Sequence, residues 1–136
     1  MITIERLERF FSDHNIPLDP DGFEDRHWRH RCVGDNGEWD YAIHWAEEPL
    51  YVRVTSTFPK KIPSMRRADV AQVVARTNAG LRVGGLSLDL DSGELSFITG
   101  LLLEGIDEDF EKLMEQIFFV NMASMEELSS TFEELF

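Results

Sequence analysis

Apolar side chains recur every three or four residues at the start of the chain. Ile4, Leu7, Phe10 and Phe11 share one helical face, and charged residues fill the rest. This pattern predicts an amphipathic helix over about residues 3–14. The following stretch, residues 15–22, combines Asn, Pro, Gly and Asp, which favour a connecting loop.

The period changes to two between residues 26 and 58, which predicts β-strands. Asn36-Gly37 favours a two-residue hairpin turn. In that register Cys32 faces Tyr41, Trp28 faces Trp45 and His44 faces Arg29. A third alternating run from Leu50 to Thr55 completes a predicted three-stranded antiparallel meander.

The second half of the chain predicts a helix, a hairpin and a last helix. Ser64 is positioned to cap a helix running to about Asn78, and Gly80 is expected to end it in the left-handed conformation. A hairpin turning at Ser92-Gly93 follows. The last helix is predicted to start with Asp107 as its N-cap, with Ser124 as a point where it can break and restart.

The predicted order is therefore α-β-β-β-α-β-β-α. It indicates an α+β fold in which an antiparallel sheet of about five strands packs against three helices. A length of 136 residues, without repeats or a long linker, indicates one domain over residues 1–136.

Charge and cysteine content narrow the function classes. The chain has 13 Lys and Arg against 26 Asp and Glu, a net charge of −13, which disfavours nucleic acid and anionic membranes as partners. Cys32 is the single cysteine and cannot form an internal disulfide, so we expect a cytoplasmic protein. The N-terminus lacks the apolar run of a signal peptide or membrane span.

The stretch Thr77–Phe97, which ends a predicted helix and runs through a hairpin, resembles the central signature of the YbjN-like family of bacterial sensory transduction regulators. The element order is also similar to that of class I chaperones of type III secretion. The resemblance implies a protein-binding or regulatory module, commonly homodimeric and without known catalysis. It implies no catalytic residues.

Residues with reactive or metal-binding side chains do not form a convincing site in the sequence. His27 and His30 point to opposite faces of a strand, and Cys32 lies on the predicted apolar face. Asp89, Asp91 and Glu94 lack the remaining ligands of a calcium loop and are typical of a tight turn. We therefore predict no catalytic, metal-binding or cofactor-binding residues, and no enzymatic activity.

A stripe of small residues marks the second predicted helix, opposite its valines. It consists of Ala68, Ala71, Ala75 and Ala79. The stripe would let a second copy approach closely, which predicts a homodimer interface. The alternative is that alanine simply favours helix on a solvated face.

The chain has more aromatic and methionine side chains than a single narrow apolar helix face would bury. An apolar patch that binds a partner protein is one explanation. Its candidate members are Trp39, Trp45, Phe118, Phe119 and Met122. Core packing is the alternative.

Charged residues are unevenly distributed along the chain. Residues 60–82 are locally basic, whereas the chain from Glu104 onward is acidic apart from Lys112.

The sequence thus favours a non-catalytic, chaperone-like or regulatory homodimer that binds a client protein. The alternative function is a small-molecule-sensing domain with a ligand between sheet and helix near Trp28 and Trp45. A nucleic-acid accessory role through residues 60–82 is disfavoured by the net charge.

Overall fold

Three helices and an antiparallel sheet make up the computed structural model of the chain, which describes residues 2–17, 19–20 and 26–135 apart from the side chains of Pro20 and Leu135. The helices are α1 (Ile4–Asp13), α2 (Arg67–Gly80) and α3 (Phe110–Phe132). The strands are β1 (Asp19–Pro20), β2 (His27–Val33), β3 (Glu38–Glu47), β4 (Leu50–Thr57), β5 (Gly85–Leu88) and β6 (Leu95–Leu102). The predicted α+β order is confirmed, and the two-residue β1 adds to the five expected strands.

The sheet has the strand order β1-β2-β3-β4-β6-β5, and every pair is antiparallel. The chain crosses from β4 through α2 to the far edge strand β5 and then returns to β6. β2 and β5 therefore lie near opposite ends of the sheet. This separation places α2, which packs on β5, far from the first hairpin.

The register predicted for both hairpins is wrong by two residues. Cys32 pairs with Trp39, and His27 with His44, because Gly34 and Gly37 close the first turn through a 2.8 Å hydrogen bond. In the second hairpin Leu88 pairs with Leu95 instead of facing Phe97. A shift of two leaves each side chain on its predicted face, so the buried and exposed faces were assigned correctly.

α3 covers the buried face of the sheet over β4 and β6. It is a single helix from Phe110 to Phe132 and continues through Ser124, where the sequence left a break open. Its N-cap is Asp109 and not Asp107. Asn121 of α3 is fully buried, and its side chain donates hydrogen bonds to backbone carbonyls of both strands. These bonds fix the position of the helix over the sheet.

α2 begins and ends differently from the prediction. A short 3₁₀ turn at Ser64–Arg66 precedes it, and no side chain caps its first turn. Gly80 is its last helical residue, whereas the positive φ of +77° falls on Gly84. Val70 and Val74 are buried as predicted.

α1 joins the core through Leu7, Phe10 and Phe11. The Phe11 ring meets Trp28 of β2 with centroids 5.5 Å apart. Arg6 binds Glu111 of α3 and the side chain of Asp107. α1 is thereby tied to both β2 and α3, and its C-terminal end lies beside the sheet edge.

Candidate partner-binding groove

A groove of about 370 Å³ lies where the C-terminal end of α1, the edge of β2 and α3 meet. Its walls come from three parts of the chain that are distant in sequence. The lining residues are His14, Asn15, Ile16 and Pro17 after α1, His30, Arg31, Cys32 and Val33 of β2, Tyr41 of β3, and Phe118, Phe119 and Met122 of α3. We call this the α1–β2–α3 groove.

Aromatic rings form a continuous series along the floor of the groove. His30 contacts Tyr41, Tyr41 contacts Phe118 at 5.6 Å between centroids, and the Phe118 and Phe119 rings are perpendicular at 5.2 Å. Phe119 in turn lies 6.2 Å from His14, whose ring stacks on Phe10 at 4.1 Å. Edge-to-face aromatic contacts of this kind hold a rigid apolar surface.

The titratable groups Tyr41 and Cys32 in the groove stay uncharged at neutral pH. Burial, with a smaller effect of the Cys32 charge, raises the pKa of Tyr41 to about 12. Burial and the nearby Glu126 carboxylate also raise the pKa of the Cys32 thiol. Cys32 is therefore a packed apolar side chain and not an activated nucleophile.

Phe119 gives the groove an exposed apolar rim, and Val33 borders its end with its side chain on the other face of the sheet. Phe119 is 47% exposed and Val33 74% exposed. Phe119 also borders a second, open depression along α3 that Lys112, Glu115 and Val120 help to line. Large exposed apolar side chains beside a depression are typical of surfaces that contact another molecule.

The backbone of β2 offers hydrogen-bonding groups along the same rim. Hydrogen bonds join Trp45 to Arg26 and Gly34 to Gly37 across the first hairpin. Antiparallel pairing alternates, so the N–H and C=O groups of Arg31 and Val33 point away from β3. Among the described residues, the neighbouring strand β1 pairs only with Trp28 and Arg29.

The opposite edge of the sheet is closed at its centre. The Asn78 carboxamide accepts a 2.7 Å hydrogen bond from the Leu86 N–H and donates one of 3.0 Å to the Leu86 C=O. A side chain thus takes the place that a neighbouring strand would occupy on β5. The β5 edge is thus covered at its centre, whereas among the described residues β1 pairs with only the first part of β2.

The structure brings together only some of the predicted partner-binding residues. Phe118, Phe119 and Met122 line the groove, as α3 places them beside β2. Trp39 and Trp45 are each 2% exposed and belong to the hydrophobic core. Core packing, the alternative, is therefore the position of these two tryptophans, which lie on the buried face of the central strand β3.

The predicted dimer stripe lies on the outer side of α2. Ala68, Ala75 and Ala79 are exposed, and Ala71 is partly buried. Val70 and Val74, on the other side of the helix, pack into the core. The stripe and the groove are separated by the width of the sheet.

The sequence prediction missed several groove residues: His14, Ile16, His30 and Val33. Their contribution depends on α1 ending beside the edge of β2, a long-range contact without a local sequence signal. The sequence did show Val33 alternating away from the apolar face, which is consistent with its exposure.

The acidic turn Asp89–Glu94 is structural. The Asp89 carboxylate accepts hydrogen bonds from the N–H groups of Asp91 and Ser92, and these bonds hold its pKa below the usual range. Arg67 donates to the carbonyls of Ile62, Asp91 and Ser92. Within the described part of the chain, no group of three or more His, Cys, Asp or Glu side chains is arranged to hold a metal ion.

The chain matches a known protein family over most of its length. Residues 3–132 match the family model YbjN, described as "Putative bacterial sensory transduction regulator". The chain therefore belongs to the YbjN family. No curated protein sequence matches it.

Solved structures with the same fold include YbjN from E. coli, described as "a putative transcription regulator". Its TM-score is 0.75 at 9% sequence identity, over 98% of this chain and 93% of that one. A chain of the ExsC–ExsE complex has a TM-score of 0.57 at 10% identity, over 99% and 96% of the two chains. A chain of the HopA1–SchA chaperone–effector complex has a TM-score of 0.58 at 13% identity, over 96% and 99%.

These similarities establish the fold that regulators and secretion chaperones share. The family and the first neighbour are described as regulators, and the third neighbour is a chaperone–effector complex. Among the helices described, none combines the length and apolar character needed to cross a membrane.

Proposed function

We propose that the chain is a non-catalytic protein-binding module of the bacterial cytoplasm. In this proposal it acts as a homodimer and holds an extended segment of a client or regulatory protein in the α1–β2–α3 groove. The observation that carries the proposal is that exposed Phe119 lies in the same groove as Arg31 and Val33, whose backbone groups point away from β3.

The bound segment would add to the sheet as a further strand beside β2. The N–H and C=O groups of Arg31 and Val33 supply main-chain hydrogen bonds, which bind many sequences. Alternate side chains of the segment would rest on the apolar surface of Phe119 and Met122. We therefore expect a client segment with apolar residues at every second position.

The homodimer interface is proposed on α2. If two copies cross antiparallel about a two-fold axis near Val73, Ala71 faces the partner's Ala75. Ala68 then lies close to the partner's Ala79, and Asp69 close to the partner's Arg76. Small side chains permit close approach, and the opposite charges favour this orientation. Since α2 lies across the sheet from the groove, the dimer would present two outward-facing grooves.

A purification from the native cell tests the groove. Wild-type protein, the groove variants Phe119→Glu and Phe119→Arg, and the matched control Met65→Glu are purified without a tag on the groove side. Met65 is almost fully exposed at a site outside the groove. The proposal predicts one stoichiometric companion protein with wild type and with Met65→Glu, and none with the two groove variants.

Hydrogen exchange then locates the contact. Binding of the companion is expected to slow exchange of the backbone amides of Arg31 and Val33, while circular dichroism confirms that each variant is folded. A companion that binds all four proteins equally, or that leaves these amides unprotected, would contradict the groove assignment.

Small-molecule sensing is the alternative function. Trp28 and Trp45 are buried in the core, so a ligand there would change their fluorescence strongly. A saturable change with a defined metabolite, together with the absence of any companion protein, would favour sensing over protein binding.

A further inference from the structure

His27 and His44 face each other across the first hairpin, on the sheet surface opposite α3. Their rings are 5.7 Å apart between centroids and inclined at 61°. The predicted register would have set His44 against Arg29. The observed shift of two residues is what creates the histidine pair.

The pair occupies the type of position where cross-strand side chains approach most closely. Arg26 and Trp45, the preceding pair, share a backbone hydrogen bond of 3.0 Å. Because bonded and non-bonded pairs alternate in an antiparallel ladder, His27 and His44 form a non-hydrogen-bonded pair. Two strands thus hold both imidazoles on one face at a fixed spacing.

The spacing suits a shared metal ion. With metal–nitrogen bonds of about 2.0–2.1 Å and a tetrahedral angle, two imidazole centroids lie roughly 5.2 Å apart. The observed separation exceeds this by about half an ångström. The rings now meet edge to face, so rotation about their side-chain bonds would turn one nitrogen of each towards the ion. Neutral imidazole is a preferred ligand of Zn²⁺ and of related divalent transition ions.

We propose that His27 and His44 form a two-histidine site for a divalent transition-metal ion of the Zn²⁺ type. Among the described residues no third His, Cys, Asp or Glu joins the pair. The ion would fasten β2 to β3. This proposal is independent of the proposed protein-binding function.

Arg53 of β4 is the cross-strand neighbour of His44 on the same surface. Its positive charge opposes a bound cation, and its long side chain can turn towards solvent. Removing this charge provides a second, independent test of where the ion lies. Arg53→Ala is expected to tighten Zn²⁺ binding by roughly threefold.

The test is a calorimetric titration of the whole, tag-free protein with ZnCl₂. We expect one ion per chain, with affinity reduced about tenfold or more in His27→Asn and in His44→Asn. The matched control is His30→Asn, since His30 lies on the opposite face of β2. It is expected to bind like wild type.

A measurement on the wild-type protein alone removes any dependence on variant folding. The chain has four histidines, and their ring proton signals are followed by NMR during the titration. Zn²⁺ is expected to shift or broaden the signals of His27 and His44 and to spare those of His14 and His30. Absence of binding, equal effects on all four rings, or full affinity in both variants would overturn the proposal.

Discussion

The Ser56 hydroxyl donates a 2.5 Å hydrogen bond to the Asn121 side-chain carbonyl in the centre of the core. The Asn121 amide group donates in turn to the Val54 carbonyl at 3.0 Å and the Phe97 carbonyl at 3.2 Å. All the polar atoms of this carboxamide are therefore satisfied where no water enters. The network fixes α3 over β4 and β6, and with it one wall of the groove.

Truncating this network is expected to destabilise the protein strongly. Asn121→Ala leaves buried partners unsatisfied, and we expect a loss of about 3 kcal/mol in the free energy of unfolding. Ser56→Ala removes one donor and is expected to cost about 1.5 kcal/mol. Urea unfolding measures both, with exposed Ser130→Ala as the control. Equal values for all three variants would show that the network contributes nothing specific.

The turn between β2 and β3 is held by α3. The Glu126 carboxylate accepts a hydrogen bond from the Asn36 N–H and lies over Gly34, where an added Cβ would collide with it. Gly34→Ala must displace Glu126, so we expect it to cost about 1 kcal/mol, similar to Glu126→Ala. The double variant should cost clearly less than the sum of the two single variants in urea unfolding. Strict additivity would show that the two residues are not coupled.

The contact between α1 and α3 predicts a pH dependence. The hydrogen bond from Arg6 lowers the pKa of Glu111 below its usual value of 4.5. A carboxyl whose folded-state pKa is depressed stabilises the fold above the unfolded value and loses that contribution as pH falls through the folded value. Wild type should therefore lose more stability than Arg6→Gln on acidification below about pH 4.5. Parallel stability curves for the two proteins, measured by urea unfolding, would refute this.

The proposed dimer predicts a charge-swap effect. Asp69→Arg and Arg76→Asp each place like charges together across the antiparallel α2 pair, so each should weaken dimerisation by about tenfold. The double variant Asp69→Arg/Arg76→Asp restores opposite charges and should restore the dimer. Sedimentation analysis measures the association, and Ala71→Glu and Ala75→Glu should give folded monomers. If none of these changes affects the dimer, its interface lies on another surface and not on α2.

Much of the fold followed from local periodicity. The alternation of Trp39, Tyr41 and Ile43 showed which face of β3 is buried, and the spacing of Val70 and Val74 showed the inner side of α2. These patterns depend on burial alone. They are therefore readable without knowing the neighbouring element.

Both hairpin registers depended on contacts that no local pattern reveals. The sequence favoured a turn with Asn36 and Gly37 as its two central residues. In the structure, Glu126 of α3 binds the Asn36 N–H and the turn lies one residue earlier. In the second hairpin, Asp89 caps a longer turn that Arg67 of α2 holds in place. The groove was missed in part for the same reason, since its walls meet only after α1 and α3 have packed.

The most direct test of the proposed function is light scattering on protein purified natively, with mass spectrometry of any protein that accompanies it. We expect a complex that contains two chains and a stoichiometric companion protein, and loss of that companion in Phe119→Glu. A clean 15.7 kDa monomer without a companion would contradict both the dimer and the protein-binding function.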